Sequence, residues 1–170
     1  STSVMLFVAG SETTMNLIGN GMLALLKHPD QFSKLKEKPE LVNSAIEELL
    51  RYDNSSQLTI RQALCDFEFY GEQLKQGELL LLLLGSANRD PQKFVNPDVL
   101  DIERAENRHL SFGYGIHFCL GAPLARLEAQ ILLPMILRKM PNLKLVSATE
   151  KWRDYITLRG LEELKLSTLE

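Results

Sequence analysis

The apolar positions of this chain change period several times, and each change marks an element. Over residues 3–27 they fall at helical spacing, with Met5, Val8, Ile18, Met22, Leu25 and Leu26 among the positions expected to pack. One long helix is predicted there, with Ser1 and Thr2 as candidate caps. Its centre, AGSETT at residues 9–14, is small and polar between apolar turns. Gly10 weakens a helix and Thr13 can bond back to the preceding turn, so a kink or bulge is expected. His28-Pro29-Asp30 ends the helix, because proline disfavours helical backbone in the residue before it. A short charged helix over residues 31–38 follows, and Pro39 opens another over 39–52.

From Gln57 the pattern turns to strands. Residues 58–61, 67–69 and 79–84 are apolar or alternating runs separated by turn-formers at Gly71 and Gly77. The six consecutive leucines at 79–84 suit a buried strand. Residues 85–108 are rich in Asn, Asp and Pro without a clear period, and predict an irregular but ordered loop. A glycine-rich stretch follows, then Leu120, Leu124, Leu127, Ile131 and Met135 at steps of three and four, predicting a helix over 119–139 bent at Pro134. Short strand-like pieces at 143–146, 156–158 and 164–166 close the chain. The fold class is mainly α with a small β-sheet component.

Composition narrows this picture only a little. A chain of 170 residues with 45% hydrophobic and 24% charged residues reads as one soluble globular domain. A net charge of −3 offers no argument for nucleic acid or an anionic membrane. No apolar run approaches a membrane span. The two cysteines stand in different settings, so a reducing cytoplasm is the simplest location.

Candidate chemistry centres on Cys119. It is predicted at a helix N-terminus, where the macrodipole favours a thiolate that can act as metal ligand or nucleophile. Gly113, Gly115 and Gly121 let backbone approach something bulky. Cys65, in ALCDFEF, reads as an inert small hydrophobe. Glu48 and Arg51 are three apart on one helix face; exposed, such a pair is worth little, whereas buried it would fix geometry. Glu12 and Thr13 alone read as a solvated helix face, and Arg61 as an edge charge or an anion partner.

Taken together, the motifs resemble the cytochrome P-450 family of haem-thiolate monooxygenases, its soluble bacterial members especially. Phe112-x-x-Gly115-x-x-x-Cys119-x-Gly121 matches the family's haem-ligand loop, Glu48-x-x-Arg51 its Glu-x-x-Arg helix, and residues 9–14 its oxygen-side helix motif. The resemblance begins inside that oxygen-side helix, so the chain is expected to be the C-terminal, haem-ligand-bearing part of the fold, truncated, without the family's N-terminal part.

By resemblance, Cys119 is the axial thiolate of haem b iron, favouring O–O cleavage. Phe112 would pack beside the sulfur, while His117 and Arg61 would meet the haem propionates. Ala9 and Gly10 would leave room above the iron, and Glu12 and Thr13 would deliver protons to bound oxygen. Glu48 and Arg51 would tie their helix to the irregular loop through Arg104 or Asn88-Arg89. The implied reaction inserts one oxygen atom from O2 or peroxide into a small organic substrate, with a ferredoxin or flavoprotein as electron donor; Arg108 and Arg126 could dock an acidic one. The alternative is a haem-binding protein or fragment without monooxygenase turnover. Self-association through the apolar helix 3–27 is expected, because soluble monomers seldom leave large apolar patches bare.

Overall fold

The computed structural model describes residues 2–146 and 150–168; the candidate cap Ser1 lies outside them. Three helices form the framework: α1 (Thr2–Lys27), α3 (Val42–Tyr52) and α5 (Ala122–Lys139), each packed against the other two. Helix α2 (Pro29–Glu37) and a 3₁₀ turn at Pro39–Leu41 join α1 to α3, so the helix expected over 39–52 starts as a tighter turn. The core gathers Leu25, Leu35, Ala45, Ile46, Leu100, Ile102, Ala129 and Leu133. A Cβ on Gly21 would stand 3.1 Å from Leu49 Cδ1, so glycine there lets α1 and α3 approach closely.

Helix α1 is unbroken through residues 9–14, without the expected bulge. Thr13 Oγ1 does donate back to the Ala9 carbonyl, at 2.7 Å. Burial begins only at Thr14, and Met5 and Val8 are exposed rather than packed. Helix α5 also departs from expectation. Its buried positions are Ala122, Ala129 and Leu133, whereas Leu120 before it and Leu124, Leu127, Ile131 and Met135 within it are exposed. The helix is apolar on two sides, and the smaller side chains, which let helices approach, face this core.

The strands pair as separate two-stranded antiparallel ribbons. Strand β1 (Thr59–Gln62) pairs with β4 (Leu79–Leu82), and β2 (Phe67–Phe69) with β3 (Glu72–Leu74). The β2–β3 turn is Tyr70-Gly71, both at positive φ, the requirement of a two-residue type I′ hairpin. Strand β4 is largely exposed, not the buried strand its leucines suggest. In the C-terminal region β5 (Lys144–Leu145) pairs with β8 (Leu166–Ser167), and β6 (Lys151–Trp152) with β7 (Leu161–Glu163). Residues 156–158 form no strand; Leu158 makes one isolated bridge, to Ser56. Arg159 docks this region on α3: Nε donates to Asp53 Oδ1 at 2.7 Å, and the guanidinium lies 3.4 Å from the Trp152 ring centroid.

After β4 a one-turn helix, α4 (Leu84–Ala87), replaces the end of the expected strand and the start of the expected irregular loop. Residues 88–110 contain no regular element, and Arg51 orders the first part of them. Glu48 and Arg51 are fully buried. Arg51 Nε and Nη2 donate to the two Glu48 oxygens at 2.8 Å each. Its remaining donors reach the carbonyls of Asn88 (2.9 Å), Pro97 (2.7 Å) and Val99 (3.2 Å). Glu48 in turn accepts from Arg104 Nε (3.0 Å), Asn107 Nδ2 (3.1 Å) and the Asp101 N–H (2.9 Å). The loop lacks a ladder, so its backbone polar groups are satisfied by this buried pair.

Candidate cofactor site

The Cys119 loop grows out of that network. Asn88 Oδ1 accepts from the Leu110 N–H at 2.7 Å, and Asn88 Nδ2 donates to Ser111 Oγ at 2.9 Å. Ser111 Oγ donates to the Leu50 carbonyl at 2.7 Å. The first turn of the loop is therefore tied to α3. Gly113 (φ +72°) and Gly115 (φ +68°) then reverse the backbone in the region that favours glycine. A 3₁₀ turn, Gly115–His117, brings the chain back so that the Cys119 N–H donates to the Phe112 carbonyl at 2.9 Å.

Cys119 lies just ahead of α5 rather than in its first turn: Gly121 is the N-cap, and the Ala122 N–H reaches the Cys119 carbonyl at 3.3 Å. A Cβ on Gly121 would sit 3.8 Å from Sγ. The thiol is exposed, and so are its neighbours Tyr114, Ile116, Phe118 and Leu120. Phe112 is half-buried, packed on the core with its ring 6.3 Å from Phe118. Cys65 is exposed on the surface, not a buried small hydrophobe.

The other expected site residues divide into two groups. Arg61, on β1, uses Nη1 for Thr59 Oγ1 (3.0 Å) and the Ile60 carbonyl (2.9 Å), leaving the rest of its fork for a carboxylate. His117 is exposed in the loop. On α1, Ala9 and Gly10 are exposed, with nothing within 4 Å of a Cβ built on Gly10. Glu12 is not simply solvated, because its Oε1 accepts from Arg153 Nη1 at 2.8 Å.

Glu47 is a residue that sequence reasoning missed. Its carboxylate accepts from Arg126 Nε (2.6 Å), Arg126 Nη2 (2.8 Å) and His109 Nε2 (3.1 Å). Burial pushes its pKa up, but hydrogen bonds and charge from Arg126 and His109 outweigh this and hold it at about 2. Arg126 is thus a paired cation, not a free docking charge, while Arg108 stays exposed. Glu47's adjacency to Glu48 was the only signal, and it does not name partners 62 and 79 residues away.

The donor set suits one kind of group. A single exposed thiol flanked by backbone-hugging glycines fits a metal that brings its other ligands with it. Large exposed apolar side chains beside it suit an apolar macrocycle, and Arg61 and His117 suit that macrocycle's carboxylates. Comparison with known proteins gives the family. The family model for Cytochrome P450 matches residues 1–157.

The chain is a member of the cytochrome P450 family.

It is 51% identical over 98% of its length to the biotin biosynthesis cytochrome P450 of Bacillus subtilis, and 49% identical over 96% to the polyketide biosynthesis cytochrome P450 PksS of the same organism. It spans 42% and 41% of those two P450s, about two-fifths of the curated relatives' length. Among solved structures it is similar to P450BioI in complex with hexadec-9Z-enoic acid ligated acyl carrier protein. That match has a TM-score of 0.94 and 51% identity over 96% of this chain and 43% of that one. It also matches B. subtilis PksS at TM-score 0.95, with 48% identity over 98% of this chain and 44% of that one. The structure is a partial P450 fold, and no helix among its described residues is long and apolar enough to cross a membrane.

Proposed function

We propose that this chain carries the thiolate side of a haem monooxygenase site, and that a P450 containing it inserts one oxygen atom from O2 or peroxide into an organic substrate. The observation that carries the reading is the Cys119 loop: an exposed thiol, reversed glycine backbone on one side and a helix start on the other. Bound haem supplies oxygen activation. Cys119 would hold its iron through Sγ, and Gly113, Gly115 and Gly121 would let the backbone lie close to it. Arg61 and His117 would pair with its propionates, and Phe112 holds the sulfur's loop on the core. On the other side, Ala9 and Gly10 leave space and Thr13 presents a hydroxyl anchored to Ala9. Glu12 holds or passes a proton when Arg153 releases it. Electrons come from a ferredoxin or flavoprotein.

A second reading, haem binding without monooxygenation, is favoured by the exposure of both the thiol and Ala9-Gly10, which leaves ligand access open. The absorption spectrum of the haem-reconstituted, reduced, carbon-monoxide-bound chain tests the shared part. A red-shifted Soret band of the thiolate type is expected, lost in Cys119→Ser and kept in Cys65→Ser. A short-wavelength band in the parent chain would overturn thiolate ligation. Peroxide-driven product formation separates the two readings, since the second predicts rapid imidazole binding and no product.

A further inference from the structure

The Glu47 cluster joins three parts of the sequence around the proposed ligand loop. His109 stands just before the loop, Arg126 in the first turns of α5, and Glu47 on α3 between them. The Ser111 N–H donates to His109 Nδ1 at 3.2 Å, which leaves Nε2 to carry the proton donated to Glu47 Oε2. Arg126 makes a bidentate pair with the same carboxylate and lies 4.6 Å from the centroid of Phe112. His109 packs on that ring as well, at 6.0 Å. The Phe112 carbonyl receives the Cys119 N–H. One carboxylate therefore grips both flanks of the loop and fixes a cation beside the residue on which Cys119 hangs.

We propose that Glu47 is a positioning residue for the axial thiolate: it holds Arg126 over Phe112 and cancels, at Cys119, the charge that Arg126 would otherwise impose. The bidentate geometry matters because only a planar fork can lie flat on Phe112 while meeting both carboxylate oxygens. The hydrogen bond from Arg126 to Glu47 raises the Arg126 pKa, burial opposes this, and the Glu47 charge adds to the rise, so the cation is held firmly in its charged form beside Phe112. The inference rests on Cys119 being the haem ligand, but its electrostatic content can be read without haem.

The first test uses the cofactor-free chain with Cys65→Ser, so that only Cys119 reacts. Its rates with an anionic and a cationic aromatic disulfide of matched reactivity are compared. The ratio reads the local potential, because the thiolate fraction cancels. Glu47→Gln should raise the anionic-to-cationic ratio about threefold, and Arg126→Gln should lower it about threefold. Arg126→Lys, which keeps the charge but not the fork, should fall between the parent and Arg126→Gln. Shifts in the same direction, or none, would overturn the proposal, because loosening of the loop would move both variants alike. If Glu47→Gln fails to fold, the contrast between Arg126→Gln and Arg126→Lys decides.

The second test is the haem-loaded protein. Glu47→Gln should raise the iron reduction potential and Arg126→Gln lower it, each by about threefold in the reduction equilibrium, or ~30 mV at 59 mV per tenfold. Equal signs would overturn the proposal here too. A parent chain with no thiolate-type carbon monoxide band would refute haem ligation while leaving the disulfide ratio to judge Glu47.

Discussion

Glu12, midway along α1, is held by Arg153, which follows β6 and lies 141 residues further along the chain. The pair is partly solvated, with side chains 25% and 37% exposed. Exposed pairs couple weakly, so a double-mutant cycle of Glu12→Gln and Arg153→Gln should give a coupling of about 0.2–1 kcal/mol by urea denaturation. A coupling above about 2 kcal/mol would mean a structural clamp, and Glu12 would then be unavailable for proton transfer.

The Arg51 site should behave very differently. Every N–H of its fork has a buried or part-buried acceptor. Removing one partner of a buried pair costs about 3–5 kcal/mol, a large share of a domain's net stability. Glu48→Gln and Arg51→Leu should each collapse the urea midpoint, measured by far-ultraviolet circular dichroism. Arg51→Lys should be nearly as damaging, because an ammonium cannot reach the Asn88, Pro97 and Val99 carbonyls together.

These two pairs also mark what could be read from sequence. Glu48 and Arg51 were legible because a helical spacing of three places them on one face, and because the family motif names them. Arg153 was not, because nothing local to it points at α1. The long helices were legible from period, but the buried face of α5 was not. A helix apolar on two sides carries no sign of which side its own core will use. The leucine run at β4 misled for a related reason, since strand apolarity predicts that something covers the strand, not what does so. The reversed glycine backbone before Cys119 and the helix start after it were legible, because glycines and a cysteine at fixed spacing are a local signal. Its support by Glu47 and Asn88 was hidden by sequence distance.

Gly160 offers a purely steric test. It is buried, and a Cβ there would collide with the side-chain amide of Asn16, which is itself fixed by a 3.0 Å hydrogen bond to Ser55 Oγ. Gly160→Ala should destabilise by about 1–3 kcal/mol, the range for overpacking. Asn16→Ala in the same chain should recover part of that loss, as read from paired denaturation curves.

Acid should loosen the loop through Glu47. Its folded pKa of about 2 lies below the ordinary 4.5, so its contribution to stability is complete above pH 4.5 and is lost as pH falls towards 2. With allowance for solvent screening of this half-buried group, about 1–2 kcal/mol is at stake. Glu47→Gln should flatten stability against pH in that window, measured by urea titrations at pH 2.5 to 5.

The bare apolar surface should make the chain self-associate. Val4, Met5, Leu6, Phe7 and Val8 are all more than half exposed on successive positions of α1. Sedimentation velocity should show mass rising with concentration, and Leu6→Ser with Phe7→Ser should reduce it. A concentration-independent monomer would contradict this.

Trp152 is the sole tryptophan of the chain, and its ring is covered by Arg159, which also grips Asp53 at the end of α3. Indole emission is therefore a native optical reporter for one joint of the molecule. A change in its wavelength or quenching signals that the C-terminal ribbons have parted from the helical framework, and no dye or label is needed to see it.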